Sequence, residues 1–159
     1  MNTLTIIVPC FNEADVLVDF ISTVNLQTHE LPLIKKYLLI NDGSTDDTLD
    51  IMKNLSETFD NIFYLSFSRN FGKEAAILAG LEASDSDFVT IMDADLQDPP
   101  ELLPEMLALI KTKKIDCVGT RRENRKGEPI IRSAFSRLFY RLINQFSDTK
   151  MVDGARDFR

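Results

Sequence analysis

The sequence predicts an α/β domain in which a mainly parallel sheet carries helices on both faces. Runs of β-branched and aromatic residues alternate along the chain with segments whose apolar residues recur at helical spacing. Repeated strand–helix–strand units of this kind form parallel sheets. A polar cluster follows each strand-like run, and 159 residues is the length of one ordinary domain. We therefore expect one domain with one sheet.

The first two elements show the two periodicities most clearly. Residues 4–8 form a β-branched apolar run that predicts a strand closed by Pro9. The apolar residues that follow are spaced i, i+3, i+4 and i+7, which places them on one face of a helix. They are Leu17, Phe20, Ile21 and Val24.

The middle of the chain repeats this alternation twice. Residues 37–40 predict a second strand, stopped by the turn-forming sequence NDGSTDD. Residues 48–59 have apolar side chains at helical spacing and predict a helix. Residues 62–67 predict a third strand, and residues 73–83 predict a helix rich in Ala and Leu.

The last part of the chain predicts two more strand–helix pairs. A strand at residues 88–92 precedes a helix at residues 100–111, with Asp98 as its expected N-cap and prolines in its first turn. Residues 115–118 predict a fifth strand, and residues 130–146 an amphipathic helix.

Composition and charge exclude several classes of protein. The net charge is −7, yet residues 119–141 hold seven Arg or Lys and two acids, a local balance of +5. An acidic body with one basic stripe argues against general nucleic-acid binding and suits a site for small anions or a surface near anionic lipid. Cys10 and Cys117 lie far apart, without metal-type spacing, so we expect two reduced core thiols and no zinc site.

The polar clusters are expected to meet at one edge of the sheet. PCFNE, NDGSTDD, SRNFGKE, DADLQD and GTRREN follow the five predicted strands. Parallel strands joined by right-handed crossovers place their carboxyl ends along one edge, where open α/β sheets bind ligands. The G-x-G-x-x-G, P-loop and G-x-S-x-G motifs are absent from the sequence, which disfavours dinucleotide oxidoreductases, P-loop NTPases and α/β hydrolases. His29 is expected at the surface after the first helix.

Asp93 and Asp95 suggest a cation site at this edge. Side chains two residues apart in a strand point the same way, so both carboxylates can converge just beyond the strand end. Two close carboxylates repel each other unless a positive charge lies between them. Oxygen ligands favour Mg²⁺ or Mn²⁺ over zinc, and Mg²⁺ often takes only one or two carboxylates and completes its shell with water and phosphate. A solvated Asp turn before a helix is the alternative.

Taken together, the clusters resemble the inverting family 2 glycosyltransferases of the GT-A fold. IIVPCFNE, NDGSTDDT and DADLQDPP look like three of the family's motifs, and SFSRNFGKEAAILAGLEAS is similar to the branch that transfers a sugar to a polyprenyl phosphate. Undecaprenyl-phosphate glucosyltransferases and dolichyl-phosphate mannose synthases belong to that branch. The resemblance implies a Rossmann-like sheet and a single catalytic domain over residues 1–159, ending before C-terminal membrane helices.

The resemblance also implies roles for individual residues. Asp42 would hydrogen-bond the base, while Arg69 and Lys73 would lie by the nucleotide and its phosphates. Asp95, with Asp93 and Gln97, would ligate Mg²⁺ or Mn²⁺. The full set implied to bind the nucleotide sugar is Pro9, Phe11, Asn12, Glu13, Asp42, Arg69, Lys73, Asp93 and Ala94.

The catalytic roles implied by the resemblance fall at the end of the chain. DGARDFR resembles the motif with a catalytic carboxylate, which places that role on Asp157, with Asp153 in reserve. Arg121 would approach the phosphates of donor or acceptor. One departure is Asn41, which stands where the family usually has a first acid and leaves base recognition to Asp42.

The resemblance implies a hexosyltransferase that uses a nucleotide sugar, with a UDP-sugar preferred to a GDP-sugar. The acceptor would be a polyprenyl phosphate at the cytoplasmic face of the membrane, reached in the full-length protein through the C-terminal region, with the domain itself soluble. A GDP-mannose-using mannosyltransferase, a family member acting on a saccharide acceptor, and a non-enzymatic receiver-like module are the alternatives. The basic stripe is interpreted either as a wet helix face or as a membrane-facing surface, and a homo-oligomer is left open.

Overall fold

The computed structural model describes residues 2–120 and 158, and the strands among them form one parallel sheet. The elements run β1 (Thr3–Cys10), α1 (Leu17–Gln27), β2 (Ile34–Asn41), α2 (Thr48–Thr58), β3 (Ile62–Ser66), α3 (Lys73–Ala83), β4 (Phe88–Ile91), a 3₁₀ turn (Pro100–Leu102) and α4 (Leu103–Lys113). The described strands are ordered β3–β2–β1–β4, and every pairing is parallel. The predicted fold class is therefore confirmed.

Both faces of the sheet carry helices, but the apolar clusters beneath those helices differ in size. Alternate side chains of β1 enter two separate apolar clusters, as the two-residue period of a strand requires. The larger cluster, with 19 buried residues, packs α1, α2 and α4 on one face. The smaller has five buried residues and packs α3 on the other. All four residues predicted for the apolar face of α1 are buried.

Helix α3 approaches the sheet through small residues. Ala76 and Gly80, four residues apart, are its buried positions. A Cβ added to Gly80 would lie 2.5 Å from Cγ2 of Ile7, so glycine permits this close contact with β1. The predicted bounds of α3, residues 73–83, are confirmed.

Four sequence-based expectations about this part of the chain are wrong. Pro9 does not close the first strand, which runs on to Cys10. Pairing of β1 with β4 stops at Ile7, so an N–H at Pro9 is not needed on that side. Cys117 is exposed, whereas Cys10 is buried as expected. Asp98 is buried but is not a cap, because the 3₁₀ turn places the helix N-caps at Pro99 and Leu102, neither with a capping side-chain bond.

The fourth error is the fifth strand. Residues 115–118 have no strand structure, and β4 ends the order of the described strands. The run is short and contains Asp116, and its apolar residue Ile115 is 39% exposed, so little apolar area is buried to offset the ordering of an edge strand. The predicted helix at residues 130–146 and most of the basic stripe lie outside the described residues.

His29 is exposed beyond the end of α1, as expected, with its Nδ1 2.7 Å from the carbonyl oxygen of Leu26. Within the part of the chain that the structure describes, no helix has the length and apolarity needed to cross a membrane.

Candidate active site

A cavity of about 300 Å³ lies where β1, β2 and β4 end and α3 begins. This is the edge at which parallel α/β sheets bind ligands. Most of the residues predicted to bind a nucleotide sugar or a cation line this cavity. They are Pro9, Phe11, Glu13, Asp42, Lys73, Asp93, Ala94 and Asp95.

Asp42 joins the loop after β2 to the start of α3. Its Oδ1 accepts a hydrogen bond from the backbone N–H of Phe71 at 2.7 Å, and its Oδ2 accepts one from Gly72 at 3.0 Å. The side chain is buried, so both bonds are shielded from competing water. A carboxylate has about four acceptor sites, which leaves Asp42 able to accept from a ligand as well.

Gly43 brings the same two loops into contact. Its φ is +67°, and an added Cβ would lie 2.3 Å from the backbone carbon of Arg69 and 2.5 Å from the nitrogen of Asn70. Both the backbone conformation and the contact therefore require glycine. Asn41 is buried beside it, accepting from Ser44 N at 3.0 Å and donating to Ser66 Oγ at 2.9 Å. The amide of Asn41 thus uses its oxygen toward the loop after β2 and its nitrogen toward the end of β3.

Lys73, the first residue of α3, forms an ion pair with Asp93. Its Nζ lies 2.8 Å from both carboxylate oxygens. The two side chains are 38% and 35% exposed, so the pair lies at the wall of the cavity rather than inside the core. The resemblance implied phosphates as the partner of Lys73 and a cation as the partner of Asp93, and their contact with each other was not predicted.

Asp95 lies two residues beyond Asp93 and is exposed. Its Oδ1 accepts from the backbone N–H of Gln97 at 3.0 Å, and Leu96 between them has a φ of +56°. This turn orders the carboxylate of Asp95 at the cavity rim. Gln97 is exposed and does not line the described cavity.

Burial and neighbouring carboxylates both act on Glu13. Its burial, followed by the carboxylates of Asp95, Asp93 and Asp46, raises its pKa. Cys10 lies on the same wall, and burial, with smaller contributions from Glu13 and Asp93, raises the pKa of its thiol far above the ordinary range. Negative charge is therefore concentrated at this end of the sheet.

Asn12 and Arg69, two of the predicted binding residues, do not line the described cavity. Asn12 has a φ of +59°; its Oδ1 accepts from Thr45 N at 2.8 Å, and its own N–H donates to Ser44 Oγ at 3.0 Å. It joins the loops after β1 and β2. The guanidinium of Arg69 lies over the ring of Phe71, 4.4 Å from its centroid.

Three lining residues were missed from the sequence. Cys10 was interpreted as a core residue only, and Gly72 was not assigned to the site. Asn70, the third, was given no role. The predicted catalytic residues Asp157, Asp153 and Arg121 lie outside the described residues. Their neighbours are in contact, however, because the carbonyl of buried Phe158 accepts from Thr120 N at 3.0 Å and from Thr120 Oγ1 at 3.2 Å.

The donor set of the cavity suits a divalent cation. Four carboxylates line it against one lysine in the described wall, and a diphosphate entering alone would meet this excess of negative charge. Within the described residues, however, no three or more Asp, Glu, His or Cys side chains are grouped so that they could hold a metal ion together. Asp93 and Asp95 would therefore supply one or two oxygens, as is usual for Mg²⁺ completed by water and phosphate.

Comparison with known sequences gives one consistent family. The sequence model of glycosyl transferase family 2 matches residues 5–159. The putative glycosyltransferase CsbB of Bacillus subtilis is 39% identical over 156 residues, covering 98% of this chain and 47% of that protein. The bactoprenol glucosyl transferase of Shigella phage SfV is 35% identical, covering 98% and 50%. The chain spans about half the length of these relatives.

Solved structures share the fold at lower identity. Staphylococcus aureus TarS 1–349 has a TM-score of 0.64 and 21% identity, covering 80% of this chain and 38% of that chain. A mannosyltransferase from Pyrobaculum calidifontis, PcManGT, in complex with GDP-Man and Mn²⁺, has a TM-score of 0.60 and 21% identity, covering 77% and 37%. At this identity the comparison concerns the fold alone.

Proposed function

The chain belongs to glycosyl transferase family 2 and has a GT-A fold, and from this premise we propose that it carries the donor site of a polyprenyl-phosphate hexosyltransferase. The proposed donor is UDP-glucose, and the proposed acceptor is a polyprenyl phosphate at the cytoplasmic membrane face. The relatives named bactoprenol glucosyl transferase support this choice of sugar and acceptor. The observation that carries the proposal is the cavity that joins Asp42, Lys73, Asp93 and Asp95 at one sheet edge.

The base end of the donor would lie against Pro9 and Phe11, with Asp42 accepting from a base N–H. Asp42 is buried and already fixed by two backbone N–H groups, so its orientation is set before the ligand arrives. A preorganised acceptor loses little conformational entropy on binding. Arg69, Asn12, Glu13 and Ala94 complete the proposed nucleotide-sugar surface, although Arg69 and Asn12 would reach it from outside the described cavity.

The diphosphate would lie between Lys73 and the carboxylates of Asp93 and Asp95. We propose that Asp95, with Asp93 and Gln97, holds Mg²⁺ or Mn²⁺. When bound, the cation would stabilise the negative charge that develops on the leaving nucleoside diphosphate. Lys73 would add an ammonium group to the same phosphates.

Transfer would proceed by one displacement. An oxygen of the acceptor phosphate attacks the anomeric carbon, and the bond from that carbon to the nucleoside diphosphate breaks with inversion. A phosphate monoester has a second pKa of about 6 and is already largely ionised near neutral pH, so a strong general base is not required. Asp157, with Asp153 in reserve, would position the acceptor, and Arg121 would contact its phosphate.

The contact between Thr120 and Phe158 supports this assignment. Arg121 follows Thr120 and Asp157 precedes Phe158 in the sequence, and the backbone atoms of Thr120 and Phe158 are hydrogen-bonded at 3.0 Å. The described contact thus joins the two residues that flank the proposed catalytic positions in the sequence.

Calorimetric titration of UDP, GDP, UDP-glucose and GDP-mannose, each with Mn²⁺ and with EDTA, tests the proposal. We expect Mn²⁺-dependent binding of the uridine ligands that is lost in Asp95→Ala. Asp60→Ala is the matched control, because Asp60 is an exposed acid just before β3, at the opposite edge of the sheet. Binding of GDP-mannose but not of the uridine ligands would change the proposed donor to GDP-mannose. Failure of the full-length protein to bind any of the four ligands would reject the donor site.

A further inference from the structure

The loop after β1 is held by side chains from one short segment between β2 and α2. Three successive backbone N–H groups of this loop donate to side-chain oxygens of that segment, across 32 to 35 residues of sequence. The three bonds run from Asn12 N to Ser44 Oγ at 3.0 Å, from Glu13 N to Thr48 Oγ1 at 2.9 Å, and from Ala14 N to Asp46 Oδ2 at 3.2 Å.

This loop carries part of the cavity wall. It lies between β1 and α1 in turn and bend conformations, and Val16, the N-cap of α1, makes no side-chain capping bond. Phe11 and Glu13 both line the cavity. Loop segments with few bonds of their own open at low free energy. The position of these two side chains therefore depends on the bonds from the segment after β2.

Thr48 is well placed to hold Glu13 because its hydroxyl is itself oriented. A hydroxyl has one proton to donate and two lone pairs that accept. Thr48 is buried, and its proton goes to Oδ1 of Asp46 at 2.5 Å, which leaves the lone pairs for the N–H of Glu13. Desolvation acts to raise the pKa of Asp46, but its hydrogen bonds from Thr48 and Ala14 hold that pKa below the ordinary value.

We infer that Thr48 and Asp46 are positioning residues of the donor site, which hold the backbone at Glu13 and Ala14 so that Phe11 and Glu13 stay at the cavity wall. Neither Thr48 nor Asp46 lines the described cavity. The inference rests on the proposed function for the identity of the ligand. A wall that is ordered before the ligand arrives loses less conformational entropy on binding.

Calorimetric titration of UDP with Mn²⁺ tests the role of the Thr48 hydroxyl. Thr48→Val keeps the shape of the side chain and leaves the N–H of Glu13 without its acceptor. We expect UDP to bind this variant about tenfold more weakly, as for a loop that is in the binding position about one-tenth of the time. Thr48→Ser keeps the hydroxyl and should bind UDP as the unmodified protein does.

Amide hydrogen exchange gives a second readout that needs no ligand. The N–H of Glu13 should exchange faster in Thr48→Val than in the unmodified protein or in Thr48→Ser, because a bonded amide exchanges only when its bond opens.

Thr28→Val is the matched control for lost stability. Thr28 is also buried, and its Oγ1 donates to the carbonyl of Val24 at 2.6 Å and accepts from Nζ of Lys35 at 2.8 Å. It lies at the end of α1 that is far from the loop. Its replacement should lower the free energy of unfolding and leave UDP affinity unchanged.

Asp46→Ala tests the same contact from an exposed position. It removes the acceptor of the Ala14 N–H and the group that orients the Thr48 hydroxyl, so it should also weaken UDP binding. Asp47→Ala is its control, because Asp47 is an exposed acid whose side chain makes no capping bond to α2. The control removes the same charge and should leave UDP affinity unchanged.

The inference is wrong if folded Thr48→Val binds UDP as tightly as the unmodified protein, or if Thr48→Ser weakens binding as much as Thr48→Val. It is also wrong if Thr28→Val or Asp47→Ala weakens binding equally, since stability or charge alone would then explain the loss. If Thr48→Val does not fold, the comparison of Asp46→Ala with Asp47→Ala decides.

The donor proposal fails separately. If the unmodified protein binds no UDP, that proposal falls and hydrogen exchange alone decides the positioning role. Faster exchange of the Glu13 N–H in Thr48→Val, but not in Thr48→Ser or Thr28→Val, would then support it, and equal rates would overturn it.

Discussion

Replacing Gly43 by alanine should loosen the wall of the cavity by separating two loops. Gly43 follows β2 and has a φ of +67°, a conformation that L side chains rarely adopt. The added Cβ would lie 2.3 Å from the backbone carbon of Arg69 and 2.6 Å from its Cα. Backbone atoms cannot rotate aside as a flexible side chain can, so the loop before α3 must move.

Two costs add in this variant. Adopting the left-handed region costs an L residue about 1–2 kcal/mol. Overpacking against a neighbour that must shift costs about 1–3 kcal/mol. We therefore expect the free energy of unfolding to fall by about 2–5 kcal/mol, a large share of the roughly 5–15 kcal/mol that holds an ordinary domain folded.

Urea unfolding followed by circular dichroism measures this loss. With a slope of about 2 kcal/mol per molar urea, the midpoint should fall by about 1–2.5 M. Gly119→Ala is the control, because a Cβ there would meet no atom of the described residues within 4 Å and its φ is not positive. Its free energy of unfolding should stay within about 0.5 kcal/mol of that of the unmodified protein.

The reasoning is refuted if Gly43→Ala unfolds at the same urea concentration as Gly119→Ala. It is also refuted if the midpoint falls while Asp42 still protects the N–H groups of Phe71 and Gly72 from hydrogen exchange as before. In that case the loss would come from elsewhere than the contact between the two loops.

Three further predictions concern single side chains. The pKa of Glu13 is raised, so its stabilising contribution is complete below its ordinary pKa of 4.5 and is lost as the pH rises through the pKa of the folded protein. Metal-free Glu13→Gln should therefore be more stable than the unmodified protein near neutral pH. Urea midpoints that still show this gain below about pH 4 would contradict the prediction. Cys117 is exposed and Cys10 buried with a raised pKa, so a thiol reagent should modify one cysteine per folded chain and both after unfolding; equal rates in the folded protein would refute the assignment. Phe158→Ala should cost about 3–5 kcal/mol in urea unfolding, because Phe158 is fully buried in the larger core; a loss no larger than that of half-exposed Phe59→Ala would show that this contact contributes little.

The sequence predicted the fold well because periodicity reports burial directly. Helix α3 has the predicted bounds, and the apolar face of α1 is the one expected from Leu17, Phe20, Ile21 and Val24. The fifth strand failed because strand propensity over four residues is weak, and only burial against a neighbour would have made it a strand. The prediction that Pro9 ends the strand was wrong because proline, which has no N–H to donate, disrupts a strand only where a neighbouring strand would need that bond.

Much of the cavity wall was predictable, but the contacts inside it were not. Parallel topology alone brings together the strand ends that carry Glu13, Asp42 and Asp93. The two hydrogen bonds that Asp42 accepts from Phe71 and Gly72 span about 30 residues of sequence, and no local pattern encodes them. Likewise, Lys73 and Asp93 were each assigned to a ligand, whereas in the structure they bind each other.

The uneven core has a consequence for local stability. Among the described residues, α3 packs against the smaller of the two clusters, through Ala76 and Gly80, and exposes Leu78 and Leu81. Elements with few buried apolar contacts open at a lower free energy than the whole domain. The amide protons of α3 should therefore exchange with solvent before those of β1 and β2. Since α3 carries Lys73 on its first turn, part of the binding energy of any ligand held by that residue would be used to fasten the helix to the sheet.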